Sequence, residues 1–309
     1  MRKCNVITIS MPEVPGDTTP EHNMERACTL LDSFVSLKPD LVILPEVFQK
    51  ISVNIPMDDA KLTEDCRVIL GEKARMLSSY IIVGLHEHIG GKKCNVAWLL
   101  DRQGNLAGRY IKHRPTDYEM DQVKGKGVWA GNDIPVFETD FGKLGILICF
   151  DIDWPHLWTE IGESGAELVA WISAYEGGYP LNAFAAVNMY YVVSSVREFQ
   201  SKIIDITGKE LESSSRWANW AYRRLGMDKT MFHIDNQIAK IIKIQAALGN
   251  KITLETYDEE GRFTIESNDP DWPMERIIRE FELETFEAYH KRVEKMNDEH
   301  RIPTGGLDK

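Results

Sequence analysis

No stretch of this 309-residue chain approaches the ~18 consecutive apolar residues that crossing a bilayer requires. The longest apolar runs, such as 41–44 and 144–149, have only the length of a strand. The opening MRKCNVITISMPEVPGD carries charge at Arg2 and Lys3, but its apolar run ends by Pro12 and Glu13, too short for a secretory signal. It reads as the first strand of a cytoplasmic protein. Cysteine is scarce: the five, at positions 4, 28, 66, 94 and 149, are odd in number and form no CxxC pair. That argues against a disulfide framework and against a zinc ribbon. Positive charge is in deficit, with 36 Lys+Arg against 48 Asp+Glu and a net charge of −12. With no basic run interleaved with aromatics to overrule that total, a phosphate backbone would be repelled and nucleic acid is not an expected partner. Repeats and low-complexity tracts are also missing. What is present, 43% apolar and 27% charged residues, is the composition of an ordinary globular chain able to build a sizeable core in one large domain or two small ones.

Short β-rich runs alternate with helix-period segments over roughly the first 240 residues. The expected strands are 6–10, 41–44, 81–87, 97–101, 108–111, 136–139, 144–150, 168–173, 191–196 and 203–206. Many are apolar at consecutive positions, as strands covered on both faces are. Amphipathic helices are expected near 22–37, 60–78, 155–164 and 181–189, and the alternation predicts an α/β fold with buried sheets. The last sixty residues differ. After the turn cluster Asn268-Asp-Pro-Asp-Trp-Pro273, with Asp271 as the expected cap, apolar positions 277, 278, 281, 285, 289, 293 and 296 predict one amphipathic helix of about seven turns.

Three residues stand out chemically. Cys149 closes the run 143–148, apolar after its first residue, and precedes Phe150-Asp-Ile-Asp-Trp-Pro155 and a helix-period segment. A strand-to-helix corner of this kind exposes a side chain at the rim of a sheet and can turn backbone N–H groups toward a developing oxyanion. By itself a cysteine there is more often a small buried hydrophobe. Glu46 follows a buried strand and Pro45, where partial desolvation raises a carboxyl toward the range of a general base. Lys112 ends the segment Gly108-Arg-Tyr-Ile-Lys112 and leads into the long loop 113–135. Each charge alone reads as a strand-end surface group, but the three together do not.

These motifs in series resemble the nitrilase superfamily, the carbon-nitrogen hydrolases, which use a Glu-Lys-Cys triad. The resemblance covers roughly residues 4 to 240. Its carriers are Pro45-Glu46, Gly108-Arg-Tyr-Ile-Lys112 and Gly145-Ile-Leu-Ile-Cys-Phe-Asp151 in the right order. Asn95, the 100–108 turn, Gly165-Ala-Glu-Leu-Val169, Ser173-Ala-Tyr175 and Tyr191-Val-Val193 support them. It implies a four-layer α-β-β-α sandwich over residues 1–245, usually dimerised or further assembled, with 246–309 as a C-terminal extension serving as a packing or oligomerisation arm. It also implies roles: Glu46 as base, Cys149 as nucleophile, and Lys112 with the backbone N–H of Phe150 as oxyanion stabilisers. The second glutamate of the family is matched by Glu119, with Asp121 as the alternative. Neither metal nor cofactor is implied. Phe150-Asp151 after the cysteine resembles the amidase and N-carbamoyl amidohydrolase branches, whereas the nitrilase branch proper usually has Trp-Glu.

The chain departs from the family at Asp153, where many members have Arg, and at Ala185-Ala-Val-Asn188, which keeps only the Asn of an Arg-Ala-x-Glu-Asn run. The Phe150-Asp151 resemblance makes a small amide or N-carbamoyl substrate the leading expectation. Nitrile hydrolysis, acyl transfer to an amine, or a catalytically silent scaffold are the alternatives. Trp129, Trp154 and Tyr175 are candidates to line the pocket, with core or loop anchoring as the competing reading. His86-Glu-His88 lacks a third ligand of fixed spacing, Lys124-Gly-Lys-Gly127 lacks the spacing and preceding strand of a phosphate loop, and His113 reads as solvated or supporting Lys112.

Overall fold

The computed structural model describes residues 1–123 and 127–302, so most of the 124–127 segment lies outside the described residues. By mutual packing the chain divides into Cys4–Leu225 and a smaller unit formed by Met1–Lys3 with the chain from Gly226.

The larger unit is built on two six-stranded sheets. In chain order its strands are β1 (Lys3–Ile9), β2 (Leu41–Ile43), β3 (Tyr80–Ile89), β4 (Lys92–Leu100), β5 (Leu106–Ile111), β6 (Val136–Glu138), β7 (Lys143–Ile148), β8 (Leu168–Ser173), β9 (Tyr191–Val196), β10 (Lys202–Ile204), β11 (Glu210–Ser213) and β12 (Trp220–Gly226). One sheet has the order β12-β1-β2-β3-β4-β5 and the other β11-β10-β9-β8-β7-β6. At the centre of each lie parallel strands (β1, β2, β3 and β7, β8, β9), of which β2, β8 and β9 are buried throughout and the others over most of their length. This is why they read as continuous apolar runs without alternation. The facing sides meet through buried hydroxyls: Thr8 Oγ1 donates to Ser194 O at 2.5 Å and Ser195 Oγ to Ile9 O at 2.7 Å.

Helices cover the outer faces. Helix α1 (Pro20–Ser33) is capped by Thr19, whose hydroxyl accepts from His22 N, and buries Met24, Ala27 and Leu31 against the first sheet. Helices α2 (Asp59–Asp65) and α3 (Gly71–Leu77), joined by a π-turn at Cys66–Leu70, share that face. After the short α4 (Asp117–Met120), helices α5 (Pro155–Glu163) and α6 (Tyr179–Asn188) pack together through stacked Trp158 and Phe184 rings. The Ile161 side chain of α5 fills the space over Gly145 of β7, where an added Cβ would fall 2.4 Å from its tip and the side chain would have to shift. The expected α/β sandwich is present, and the ten expected strands match β1 to β10 to within three residues at each end, except that β4 starts five residues earlier than expected.

The smaller unit corrects the reading of the C-terminus. Strands β13 (Thr230–His233), β14 (Ile252–Tyr257) and β15 (Arg262–Ser267) form an antiparallel sheet in the order β13-β15-β14. It is accompanied by helix α7 (Ile238–Leu248) and has its own core of Phe232, Ile244, Leu248, Phe263, Ile265 and Ile277. Pairing of β13 with β15 draws residues 226–245 into this unit, so its edge precedes the expected 245/246. The expected seven-turn helix is two helices, α8 (Met274–Glu280) and α9 (Phe286–Glu299). Between them Glu282 adopts φ 51°, and Thr285, counted in the apolar stripe, instead caps α9 by accepting from Ala288 N at 3.3 Å. Asp271 caps neither helix; the residue preceding α8 is Pro273.

Candidate active site

Glu46, Lys112, Glu119 and Cys149 come from four separate segments and line one cavity of about 170 Å³, together with Val47, His86, Asn95, Ala174 and Arg197. Glu46 stands just past β2, and the chain turns sharply after it: Val47 has φ 44°, a left-handed conformation that β-branched residues avoid. Two neighbours over-determine the turn, as such strain requires. Arg197, just past β9, donates Nε–H to Glu46 O at 2.5 Å and Nη2–H to Val47 O at 3.4 Å. From β3, Gly84 lies so near that a Cβ there would fall 2.6 Å from Pro45 O and 2.7 Å from Glu46 Cα.

Lys112 continues β5. Its N–H donates to Asn95 O and its carbonyl accepts from Gly131 N, both at 2.9 Å, which fixes the main chain from two sides. Its ammonium, 1% exposed, lies 3.0 Å from Glu46 Oε1 and 2.8 Å from Glu119 Oε2. Glu119 is held by a capping box on α4: Thr116 Oγ1 accepts from Glu119 N at 3.1 Å while Glu119 Oε2 accepts from Thr116 N at 2.9 Å. Asn95 closes the cluster, since its Nδ2 donates to Glu46 Oε1 at 2.7 Å and to Glu119 Oε1 at 2.9 Å. Between the two sequence alternatives, the structure puts Glu119 on Lys112; Asp121 Oδ1 instead accepts from Val123 N.

Burial and charge compete throughout the cluster. Burial would strip Lys112 of its proton, but the neighbouring carboxylates, Glu46 first and then Glu119, outweigh it and hold the amine as ammonium, above its ordinary range. For Glu119, burial raises the carboxyl and Lys112 more than reverses it, leaving it below the usual range.

Cys149 opens a 3-10 turn, Cys149–Asp153, directly after β7. Its φ of 48° makes it a strained elbow between strand and helix, and Trp171 Nε1 donates to its carbonyl at 3.0 Å. Behind the elbow, fully buried Asp151 ties three segments together. Oδ2 accepts from Ile148 N and Tyr110 OH, and Oδ1 from Arg114 N, each at 2.8 Å. Burial still dominates, pushing this carboxyl up to about 6. The Cys149 thiol is pushed up to about 12, first by burial and then by the charge of Glu46, with Lys112 and Ser173 opposing. It therefore rests as a thiol.

The other sequence candidates sit elsewhere. Trp129 is 45% exposed under the Lys92 ammonium, and Trp154 packs edge-on against Phe150 with ring centroids 4.8 Å apart. Tyr175 is packed edge-on against Trp171, and burial raises its hydroxyl. None of the three is among the residues lining the cavity. His86, weighed only as half of a metal pair, lines it, as do Val47 and Arg197, which the sequence reading passed over. Among the described residues no group of three His, Cys, Asp or Glu is arranged to hold a metal.

Two stacked sheets under outer helices, with a glutamate, a lysine and a cysteine at one end, define the class of α-β-β-α sandwich proteins with a thiol site. The carbon-nitrogen hydrolase family model matches residues 8–225, and the chain belongs to that family. Among its relatives, the probable hydrolase YhcX of Bacillus subtilis is 29% identical over 142 residues, 43% of this chain and 27% of that protein. The mouse omega-amidase NIT2 is 23% identical over 269 residues, 80% of this chain and 93% of that one. The match thus spans only about a quarter of the first relative's length. In fold, the chain resembles the crystal structure of a carbon-nitrogen hydrolase from Helicobacter pylori, with TM-score 0.65, 17% identity, and 73% of this chain and 90% of that one covered.

Proposed function

We propose that this protein hydrolyses the C–N bond of a small linear amide or N-carbamoyl compound through a thioester on Cys149, releasing ammonia. The observation that carries this reading is the convergence of Glu46, Lys112, Glu119 and Cys149 on one cavity of about 170 Å³. Room of that size suits a short acyl group.

Glu46 takes the proton of the Cys149 thiol as sulfur attacks the carbonyl carbon. A thiol pushed up to about 12 is ionised in only about one molecule in 10⁵ at pH 7. Proton removal therefore accompanies attack, which is the task of a base and not of a standing thiolate. The oxyanion that forms is stabilised by the Lys112 ammonium, already deprived of water, and by the N–H of Phe150. Collapse of the tetrahedral adduct breaks the C–N bond, and Glu46 returns its proton to the departing nitrogen. Water then attacks the thioester, gives its proton to Glu46 and releases the acid and the free thiol. Glu119 holds Lys112 and Asn95 in place throughout.

The test is ammonia release over a panel of short amides, ureido acids and nitriles. Turnover of an amide or ureido acid, lost by at least about 10⁴-fold in Cys149→Ala with the circular-dichroism spectrum unchanged, is the expected result. No turnover of any panel member, together with no stoichiometric alkylation of Cys149 at neutral pH, would sink the proposal and favour the silent-scaffold alternative.

A further inference from the structure

His86 on β3 faces Asn95 on β4 in the antiparallel register, so their side chains rise side by side on one face of the sheet. Both are at least 97% buried, at 3% and 1% exposure, and both line the cavity. Asn95 spends both amide protons on Glu46 and Glu119, which fixes the orientation of its amide and leaves Oδ1 as a buried acceptor with no partner. Such an orphan costs about 1–3 kcal/mol unless a donor reaches it. On the other side, the Lys50 ammonium lies 2.9 Å from His86 Nδ1. An ammonium only donates, so Nδ1 accepts and the ring proton sits on Nε2. Lys50 is itself paired with Asp59, which Lys93 also contacts at 2.8 Å.

We propose that His86 is a positioning residue for the general base: its Nε2–H serves Asn95 Oδ1, completing a one-way relay from the Lys50 ammonium through His86 and Asn95 to the carboxylates of Glu46 and Glu119. Every link runs donor to acceptor in the same sense, and each polarises the next. The relay holds the Asn95 amide against rotation and carries part of a distant positive charge to Glu46. Asn95 Oδ1 has no hydrogen-bond partner among the described residues, so the His86–Asn95 link is the one the proposal adds, closing in the reacting complex. Glu46 is otherwise faced by Lys112, Asn95 and Cys149, with Arg197 on its carbonyl; Asn95 also bridges it to Glu119. The inference rests on the reading of Glu46 as base for Cys149.

The experiment measures the pH dependence of Cys149 alkylation by iodoacetamide, resolved by peptide mass spectrometry, in the wild type, Glu46→Gln, His86→Leu, His86→Gln and Lys50→Met. His86→Leu is expected to slow alkylation at neutral pH about tenfold and to move the acidic limb about one unit higher, one unit being a factor of ten. His86→Gln, which keeps an N–H near the Nε2 position, recovers most of both, and Lys50→Met shifts the limb in the same direction by less. In ¹⁵N-histidine spectra of the wild type, the signal absent from His86→Gln shows the Nε2-protonated tautomer. A proton on Nδ1, or a folded His86→Leu with the wild-type profile, overturns the relay. If Glu46→Gln matches the wild type, the base reading falls as well, and that result is distinct from a failure of the relay alone.

Discussion

Lysine or arginine meets glutamate in both units of the molecule, under opposite conditions. In the larger unit, Lys112 lies between Glu46 and Glu119 with side chains 1%, 5% and 10% exposed. In the smaller one, Arg276 reaches Glu280 at 2.8 Å with both side chains 39% exposed. The second pair gains little, because water solvates its members nearly as well apart as together. The first is expensive to bury: desolvation opposes all three charges, and apolar residues of similar volume would fill the space at no electrostatic cost. The chemistry proposed above would account for a fold that keeps two carboxylates and an ammonium out of water beside a thiol.

Replacing Lys112 should break that contrast most severely. Lys112→Met leaves two facing buried carboxylates, one of which must take up a proton. A loss of about 3–5 kcal/mol in urea unfolding and of at least about 10³-fold in amide turnover is expected; a variant as stable as the wild type would show the cluster to be more open to water than its burial indicates. Gly84→Ala acts without touching a charge. A methyl 2.6 Å from Pro45 O must push the Glu46 turn aside, and a displacement of that order lowers kcat about 10–100-fold, while the exposed Arg276–Glu280 pair is unaffected.

Asp151 supplies a pH test. Its folded-state value, raised to about 6 from an ordinary 3.8, means the folded state holds the proton more tightly than the unfolded chain. Stability from this group is thus complete below about pH 4 and is lost as pH rises through about 6, by about 3 kcal/mol. Denaturant midpoints measured between pH 4 and 7 should show that decline, and Asp151→Asn should flatten it. Glu119, lowered by Lys112, has the opposite sign: its contribution is present above the ordinary glutamate value and is lost as pH falls through its lower folded value. At the small end, Glu280→Ala should change unfolding free energy by no more than about 0.5 kcal/mol, and less in high salt.

Much of the site was legible because its members follow recognisable local events. A glutamate after an apolar run and a proline, a lysine ending a strand, and a cysteine at a strand-to-helix corner each stand at a sheet's rim, where side chains meet. Glu119 was within reach through Thr116 and the capping-box spacing. His86 and Arg197 were not. His86 matters because β3 pairs with β4 in a register that sets it beside Asn95, and a one-residue slip would turn it to the other face. Arg197 matters because it reaches a carbonyl about 150 positions earlier in the chain. The C-terminal helix breaks in two for a related reason: a periodic stripe cannot reveal that Thr285, standing in it, serves as a cap, or that β13 pairs with β15 about thirty residues on.

The order of apolar runs and the residue types at their ends determined, in the sequence itself, the layered α/β architecture, the family and the three groups proposed for the chemistry. These are local properties of strands buried on both faces and of the corners that follow them. Only the tertiary structure decided which strands became neighbours and in what register. With that came the left-handed turn under Glu46, the bridging role of Asn95, the contact of His86 with Lys50 and the division of the last eighty residues into a unit with its own core. Contacts between distant segments form only when the whole chain packs, and their geometry is not written in any window of the sequence.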